Sequence, residues 1–288
     1  MSQFSSIGLF SKDNDQRIGV ALETLHHFFE QHNFQVHADQ TSAKFLGIIA
    51  KKDAEIAKTI DIAIVVGGDG TLLKIARFIS TYNIPMIGIN LGRLGFLVDI
   101  SPDQIIAQLE AIFRGKYTKE SRSLLYACAY RDDKLFGEGY ALNDVVLHVR
   151  NDVRMIEFNT HIDGKFVNKQ RADGIVVATP TGSTAYSLSG GGPILHPELD
   201  AVVLVSICPH TLSNRPIVVS NKGVIEISLC ESREVNSRLS FDGQANIELR
   251  AGDKVVIRQK KHKLTLIHPQ DYDYYCILRN KLGWSITP

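Results

Sequence analysis

The sequence predicts two domains, an α/β domain followed by a mostly-β domain, and three observations carry that expectation. Through about residue 120 strand and helix patterns alternate, which favours a parallel sheet with crossover helices. Beyond that point strand periodicity takes over. The chain of 288 residues is also long enough for two cores, because single cores stop growing near roughly 250 to 300 residues.

In the first domain, 7–10 is a short apolar strand, and Ser11, Lys12, Asp13 and Asn14 supply capping chemistry for a helix. There Ile18, Ala21, Leu22, Leu25, Phe28 and Phe29 recur at three- and four-residue intervals, so they share the face that enters the core. A weak strand at 34–36 and a helical stretch at 54–60 lead into 62–66, an unbroken apolar run typical of a strand buried on both sides. A helix begins near Thr71, a strand follows at 84–89, and Pro102 suits the first turn of a helix that Gly115 ends. In the second domain strands are expected at 124–130, 145–149, 155–162, 175–178, 202–207, 217–219, 224–229 and 255–258. Asp163-Gly164 lies between two alternating runs and marks a hairpin. The segment 270–288 carries three tyrosines and the only tryptophan, so it is expected to pack back onto a domain.

Composition excludes several classes. With 44% hydrophobic and 22% charged residues the chain is of the ordinary soluble globular kind. A net charge of +1 argues against a nucleic-acid binder that relies on a general electrostatic footprint. Cys128, Cys208, Cys230 and Cys276 are widely spaced without a C-x-x-C pair, and read as buried thiols in a reducing compartment. The longest apolar stretch, 201–208, falls far short of the roughly 20 residues that span a bilayer. No secretion signal is evident, and the expected location is the cytoplasm, away from membranes.

The sharpest motif is Gly67-Gly68-Asp69-Gly70-Thr71, directly between a buried strand and a helix start. Ligands of open α/β sheets bind at such strand ends, and glycines there expose N–H groups to phosphate oxygens. A carboxylate in such a loop would repel phosphate unless it accepts a proton or holds a hydroxyl or metal ion. The plainer alternative is that Asp69 or Thr71 only caps the helix. A second motif, Thr179-Pro180-Thr181-Gly182-Ser183-Thr184-Ala185-Tyr186-Ser187-Leu188-Ser189, crowds hydroxyls into a loop before Gly190-Gly191-Gly192-Pro193. It could bind a neutral polar ligand or a phosphate, or be a Ser/Thr-capped loop. Asn143-Asp144 could read a base edge and a ribose diol, and Arg154 and Arg171 could meet phosphates, although a turn is the commoner explanation of the pair and a solvated charge the default for either arginine. There is no P-loop, no G-x-G-x-x-G and no G-x-S-x-G element, and His148, His161, His196 and His210 lack metal spacing and read as structural or solvated.

Taken in order, GGDGT at 67–71, Asn143-Asp144, Asp173-Gly174 through TPTGSTAY at 179–186, Gly191-Gly192-Pro193 and the run 209–216 resemble the signatures of the NAD kinase family across nearly the whole chain. The glycine–aspartate loop is shared with lipid kinases and phosphofructokinase-like enzymes, whereas its combination with TPTGSTAY is highly specific. The resemblance implies a Rossmann-like α/β domain at 1–120, a β-sandwich-like NAD-binding domain at 121–269, a tail from about 270 packed on the first, and the architecture shared with diacylglycerol kinases. It implies a substrate crevice between the domains, and a homo-oligomer, a dimer or tetramer. Asp69 would be the proton acceptor. Gly67, Gly68, Gly70 and Thr71 would form the phosphate-donor loop. Asp69, Gly70, Asn143, Asp144, Arg154, Arg171, Asp173, Thr184, Ala185, Tyr186, Ser187, Leu188, Ser189 and Gln244 would contact the dinucleotide. Where many relatives have Ser-Ala-Gly-Gly-Pro, this chain has Ser189-Gly190-Gly191-Gly192-Pro193, and the missing methyl is expected to leave the local helix end looser.

The activity so implied is transfer of the terminal phosphoryl group of ATP to the adenosine 2′-hydroxyl of NAD, giving NADP, with a divalent cation, Mg²⁺, accompanying ATP and no protein ligands assigned to it. A lipid or small-alcohol kinase sharing the glycine–aspartate loop is the competing enzyme, and no interfacial amphipathic helix with a basic face supports it. A non-catalytic NAD sensor is the competing binding module. Product formation separates it from a kinase.

Overall fold

The computed structural model describes residues 4–12, 15–92, 94–150, 155–230 and 236–284. The chain divides into two compact units, one of Met1–Ser121 with Leu264–Pro288 and one of Arg122–Lys263.

The first unit runs β1 (Ser6–Ser11), α1 (Gln16–Gln31), β2 (Gln35–Ala38), α2 (Gln40–Leu46), α3 (Asp53–Ile56), β3 (Ile62–Val66), α4 (Asp69–Ile79), β4 (Met86–Ile89), a 3₁₀ turn Pro102–Gln104, α5 (Ile105–Phe113) and β5 (Tyr117–Arg122). The second holds β6 (Leu125–Arg131), β7 (Lys134–Ala141), β8 (Asp144–Val149), β9 (Ile156–Ile162), β10 (Lys165–Ala172), β11 (Gly174–Ala178), a 3₁₀ turn Thr181–Thr184, α6 (Tyr186–Ser189), β12 (Ala201–Ile207), β13 (Ile217–Ser220), β14 (Ile225–Leu229), β15 (Ser237–Phe241), β16 (Ala245–Leu249) and β17 (Lys254–Gln259). The chain then returns to the first unit with β18 (Leu264–Pro269) and α7 (Tyr274–Leu282).

The first sheet has the order β2-β1-β3-β4-β18-β5. Strands β2, β1, β3 and β4 are parallel neighbours, and β18 joins β4 in parallel through Leu266 and Met86. Every residue of β3 is buried, as an apolar strand covered on both faces requires. The helix after β1 buries Ile18, Leu22, Leu25, Phe28 and Phe29, its apolar stripe. Its cap is Asp15, whose carboxylate accepts the Arg17 N–H, rather than Ser11 or Lys12; Asp13 and Asn14 of that expectation lie outside the described residues. Helix α2 escaped the sequence reading because it is short and buries only Ser42 and Ala43. Residues 264–269, assigned from sequence to the second domain and not read there as a strand, form β18 of the first sheet. Its pairing depends on a partner some 180 residues earlier, which local periodicity does not encode.

The second unit contains two six-stranded antiparallel sheets, β10-β9-β14-β17-β6-β7 and β13-β12-β11-β8-β15-β16. Alternate residues of both, including Ala127, Leu147, Phe158, Val177, Ile227, Leu239 and Ile257, merge into one apolar core, so the sheets pack as a sandwich. On the opposite side of the second of these sheets, Val146, Val176, Ala178, Val203 and Val205 pack with Leu195. That side carries the hydroxyl-rich loop. Strands β7, β15 and β16 were not read from sequence, because their polar and glycine content (KLFGEGYA, SRLSF, ANIEL) masks the alternation.

Candidate active-site residues

In the first unit, Gly67 and Gly68 follow β3 and Asp69 opens α4. Gly68 is the N-cap residue and no side chain caps this helix, so the capping explanation for Asp69 and Thr71 fails. The Asp69 carboxylate instead faces the loop that follows β4. Phe96 donates its N–H to Oδ2 at 2.9 Å and Leu97 donates to Oδ1 at 3.0 Å. Two donors on two oxygens fix both the position and the plane of the group. A Cβ on Gly95 would collide with that carboxylate, so glycine is required there for the close approach. The loop has its own ties, Asn90 N–H to Ile100 O at 2.9 Å, Gly92 N–H to Asn90 Oδ1 at 3.0 Å and Gly95 N–H to Val98 O at 3.0 Å. None of these residues was singled out from sequence. The available signal was a pair of glycines, Gly92 and Gly95, just after a buried strand.

In the second unit, a cavity of about 470 Å³ is lined by Asn143, Asp144, Ala185 and Tyr186 among others. Its β-sheet wall follows from register: Val146 opposes Ser240 and His148 opposes Arg238 across β8 and β15. Asp242 organises the entrance to β8, accepting N–H bonds from Leu142, Asn143 and Asp144 at 3.1, 2.8 and 3.2 Å. Asp144 is only 4% exposed. Burial pushes its carboxyl up to about 7, and the negative charge of Asp242 adds to the rise. The Asn143 Oδ1 is buried with no partner among the described residues, as is the Nε of Arg238. His148, taken from sequence as structural or solvated, lines this cavity, with Nδ1 2.9 Å from the Val149 carbonyl. Arg238, Ser240, Asp242, Gly243 and Asn246 were also unforeseen.

Of the two readings of the hydroxyl-rich loop, the self-capped one accounts for most of its hydroxyls. Thr179 Oγ1 donates to the Leu142 carbonyl at 2.5 Å and accepts from Gly182 N–H at 3.1 Å. Ser183 donates to Pro180 O at 2.6 Å and accepts from Leu195 N–H at 2.9 Å. Thr184 donates to Thr181 O at 3.2 Å, and Arg122 donates to Thr181 Oγ1 at 3.2 Å. These hydroxyls therefore build the loop, while Ser187 Oγ is buried with no partner among the described residues. A Cβ on Gly182 would strike the Asn143 carbonyl, so the loop lies directly on the Asn143-Asp144 turn. At Gly190 an added Cβ would come within 2.9 Å of Val205. The absent methyl thus matches a tight contact, and the expected loosening of the helix end is not what the packing indicates.

Other candidates stand apart from the cavity lining. Ser187, Leu188, Ser189, Arg171, Asp173 and Gln244 are not among its lining residues. Arg171 has a buried Nε with no partner among the described residues, and its carbonyl accepts the His210 N–H at 2.9 Å. Asp173 ties β8 to β12 through its main chain, accepting from Val149 and donating to Ile207, each at 2.9 Å. Gln244 closes the β15–β16 turn by donating its N–H to Phe241 O at 3.0 Å. Arg154 lies outside the described residues.

A strand-end glycine loop presenting a fixed carboxylate, together with a polar cavity on a β-sandwich, fits a nucleotide-handling enzyme. Comparison with known proteins supplies the family. The chain matches the model of the ATP-NAD kinase N-terminal domain over residues 13–117 and that of the ATP-NAD kinase C-terminal domain over 142–269. It is 46% identical over 288 residues to an NAD kinase of Marinobacter nauticus, covering 99% of this chain and 98% of the relative. Over 290 residues it is 44% identical to an NAD kinase of Saccharophagus degradans, with 99% and 98% covered. Among solved structures, yeast NADH kinase complexed with NADH has a TM-score of 0.89 at 23% identity, with 99% of this chain and 89% of that one covered. An NAD kinase from Archaeoglobus fulgidus in complex with ATP has a TM-score of 0.73 at 24% identity, with 98% and 100% covered. Both likenesses concern the fold. The chain belongs to the ATP-NAD kinase family, and its activity is that of an NAD kinase.

Proposed function

We propose that the protein transfers the terminal phosphoryl group of ATP to the adenosine 2′-hydroxyl of NAD, with Asp69 accepting the hydroxyl proton. The observation that carries this reading is the fixed Asp69 carboxylate at the end of β3, each oxygen receiving one main-chain N–H from Phe96 or Leu97. An ionised carboxylate offers about four lone-pair sites, so acceptor capacity is left for a substrate hydroxyl. Phosphoryl transfer needs little covalent help from protein, and the work is in-line positioning and charge neutralisation. Gly67, Gly68, Gly70 and Thr71 form the donor-phosphate loop in this reading.

The second unit holds the dinucleotide. Asn143 and Asp144 receive a base edge and ribose hydroxyls, which would supply the donors that a buried carboxylate needs. Ala185 and the half-exposed Tyr186 ring offer a surface for a base. Arg238 is the cation that lines the cavity, and a dinucleotide phosphate would satisfy its buried Nε. Arg171, Asp173, Thr184, Ser187, Leu188, Ser189, Gln244 and Arg154 retain the contacts that family resemblance assigns.

Among the described residues no group of three or more His, Cys, Asp or Glu side chains could hold a metal ion. Mg²⁺ would arrive on the donor phosphates, since it keeps several waters and takes only one or two carboxylates. The cation would neutralise charge on the phosphates. We place the enzyme in the cytoplasm as a homo-oligomer. The four cysteines are free, which suits a reducing compartment.

Incubating the purified protein with Mg²⁺, ATP and either NAD or NADH tests the proposal. A 2′-phosphorylated dinucleotide is expected with NAD, and the NADH arm measures selectivity for redox state. Binding of NAD with no ATP-dependent product in either arm would refute it in favour of a sensor.

A further inference from the structure

Outside the residues discussed so far, the first unit buries a charged cluster that includes Asp99, at the end of the loop after β4. His268 on β18 is 1% exposed. Its Nδ1 is 2.8 Å from Asp99 Oδ2 and its Nε2 is 3.1 Å from Glu120 Oε2. A neutral imidazole has one N–H and one lone pair, so it can donate to only one carboxylate and would turn its lone pair toward the other. An imidazolium donates to both. Burial works against that charge, but the bonds to Asp99 and Glu120 outweigh it and the ring is more basic than usual. The Tyr272 ring stacks on it at 3.9 Å and 15°, and the Tyr272 hydroxyl lies 3.5 Å from Glu120. Asp99, Glu120 and Tyr272 are the titratable groups that face the ring among the described residues.

Asp99 lies two residues beyond Leu97, at the closing end of the loop whose amides aim Asp69. Its Oδ1 is buried with no partner among the described residues, so the imidazolium supplies the charge that balances this carboxylate. We infer that His268, bridging Asp99 and Glu120 as an imidazolium, is a positioning residue that fixes the end of the 90–99 loop and through it the direction of the Asp69 carboxylate. The inference rests on Asp69 being the proton acceptor. Loss of the His268 proton frees Asp99, slackens the loop at Phe96 and Leu97, and leaves Asp69 misaimed. Turnover then falls while NAD binding, which rests on the second unit, is retained. The sign follows from the raised basicity: the locked form is lost as pH rises through the His268 ionisation.

The test is the pH profile of kcat and of KM for NAD, for the wild type and Glu120→Gln, beside an NMR titration of His268 in protein labelled with ¹⁵N-histidine. The wild type is expected to show an alkaline limb in kcat at the His268 midpoint. Removing one charged acceptor should move midpoint and limb together to lower pH by about one to two pH units, with KM unchanged within about twofold. His268→Gln should lower kcat and abolish the limb. A His268 midpoint that moves in Glu120→Gln without the kcat limb moving would overturn the inference, as would a ring that is neutral throughout the active pH range. Full turnover by Asp69→Asn would instead remove the base assignment itself, so the two failures are distinguishable.

Discussion

Asp69 and Asp144 are carboxylates at strand ends, one in each unit, and their surroundings differ in kind. The fold aims Asp69: two main-chain amides hold its oxygens, and the glycine at position 95 exists to let that happen. The fold penalises the charge of Asp144 by burying it near Asp242, so that its carboxyl titrates at about 7. An oriented carboxylate suits a reacting proton, whereas one whose charge is costly suits a ligand that brings its own hydroxyl donors.

The contrast can be broken most forcefully at Asp69. Asp69→Asn should lower kcat by about 10²- to 10⁴-fold, the usual worth of a general base, while the melting temperature and the NAD dissociation constant stay close to wild type. Wild-type turnover would show that orientation has nothing to do with proton acceptance. Gly95→Ala displaces the carboxylate without altering it, and a misplacement of this order costs about 10²-fold in kcat; unchanged kcat would mean that the amide clamp is incidental. On the second unit, Arg171→Met should raise KM for NAD by roughly 10- to 100-fold, since charge-assisted hydrogen bonds contribute about 1.5 to 3 kcal/mol. Identical KM and kcat would remove Arg171 from the site.

Asp144→Asn sharpens the comparison with the smallest effect, about a fivefold rise in KM for NAD at pH 8. The wild-type KM should rise as pH falls through about 7, where Asp144 takes up its proton, and that dependence should vanish in the variant. Stability has the opposite sense. The folded state holds this proton more tightly than the unfolded chain, so wild-type stability declines as pH rises from the ordinary carboxyl range toward 7. Thermal unfolding of the ligand-free proteins should therefore show Asp144→Asn above the wild type at pH 8 and level with it near pH 4. A variant less stable at pH 8 would contradict the assignment.

Much of the fold was legible because β3 is an unbroken apolar run and α1 repeats its core residues at helical spacing. The glycine–aspartate loop announced itself by its place between β3 and the start of α4. What Asp69 touches was not legible, since Phe96 and Leu97 reach it through main-chain atoms, which leave no mark on side-chain identity. His148 and Arg238 meet only because β8 pairs with β15, some 90 residues along the chain. Nor could residue type reveal that Thr179, Ser183 and Thr184 spend their hydroxyls on the loop itself. The same composition would describe a ligand cradle.

The most direct measurement is a crystal structure of the protein with NAD bound. The account predicts an Asp69 carboxylate oxygen about 2.6 to 3.2 Å from the adenosine 2′-oxygen, with the Phe96 and Leu97 amides still in place. A ribose whose 2′-hydroxyl lies beyond hydrogen-bond reach of Asp69 and against a different base would contradict it.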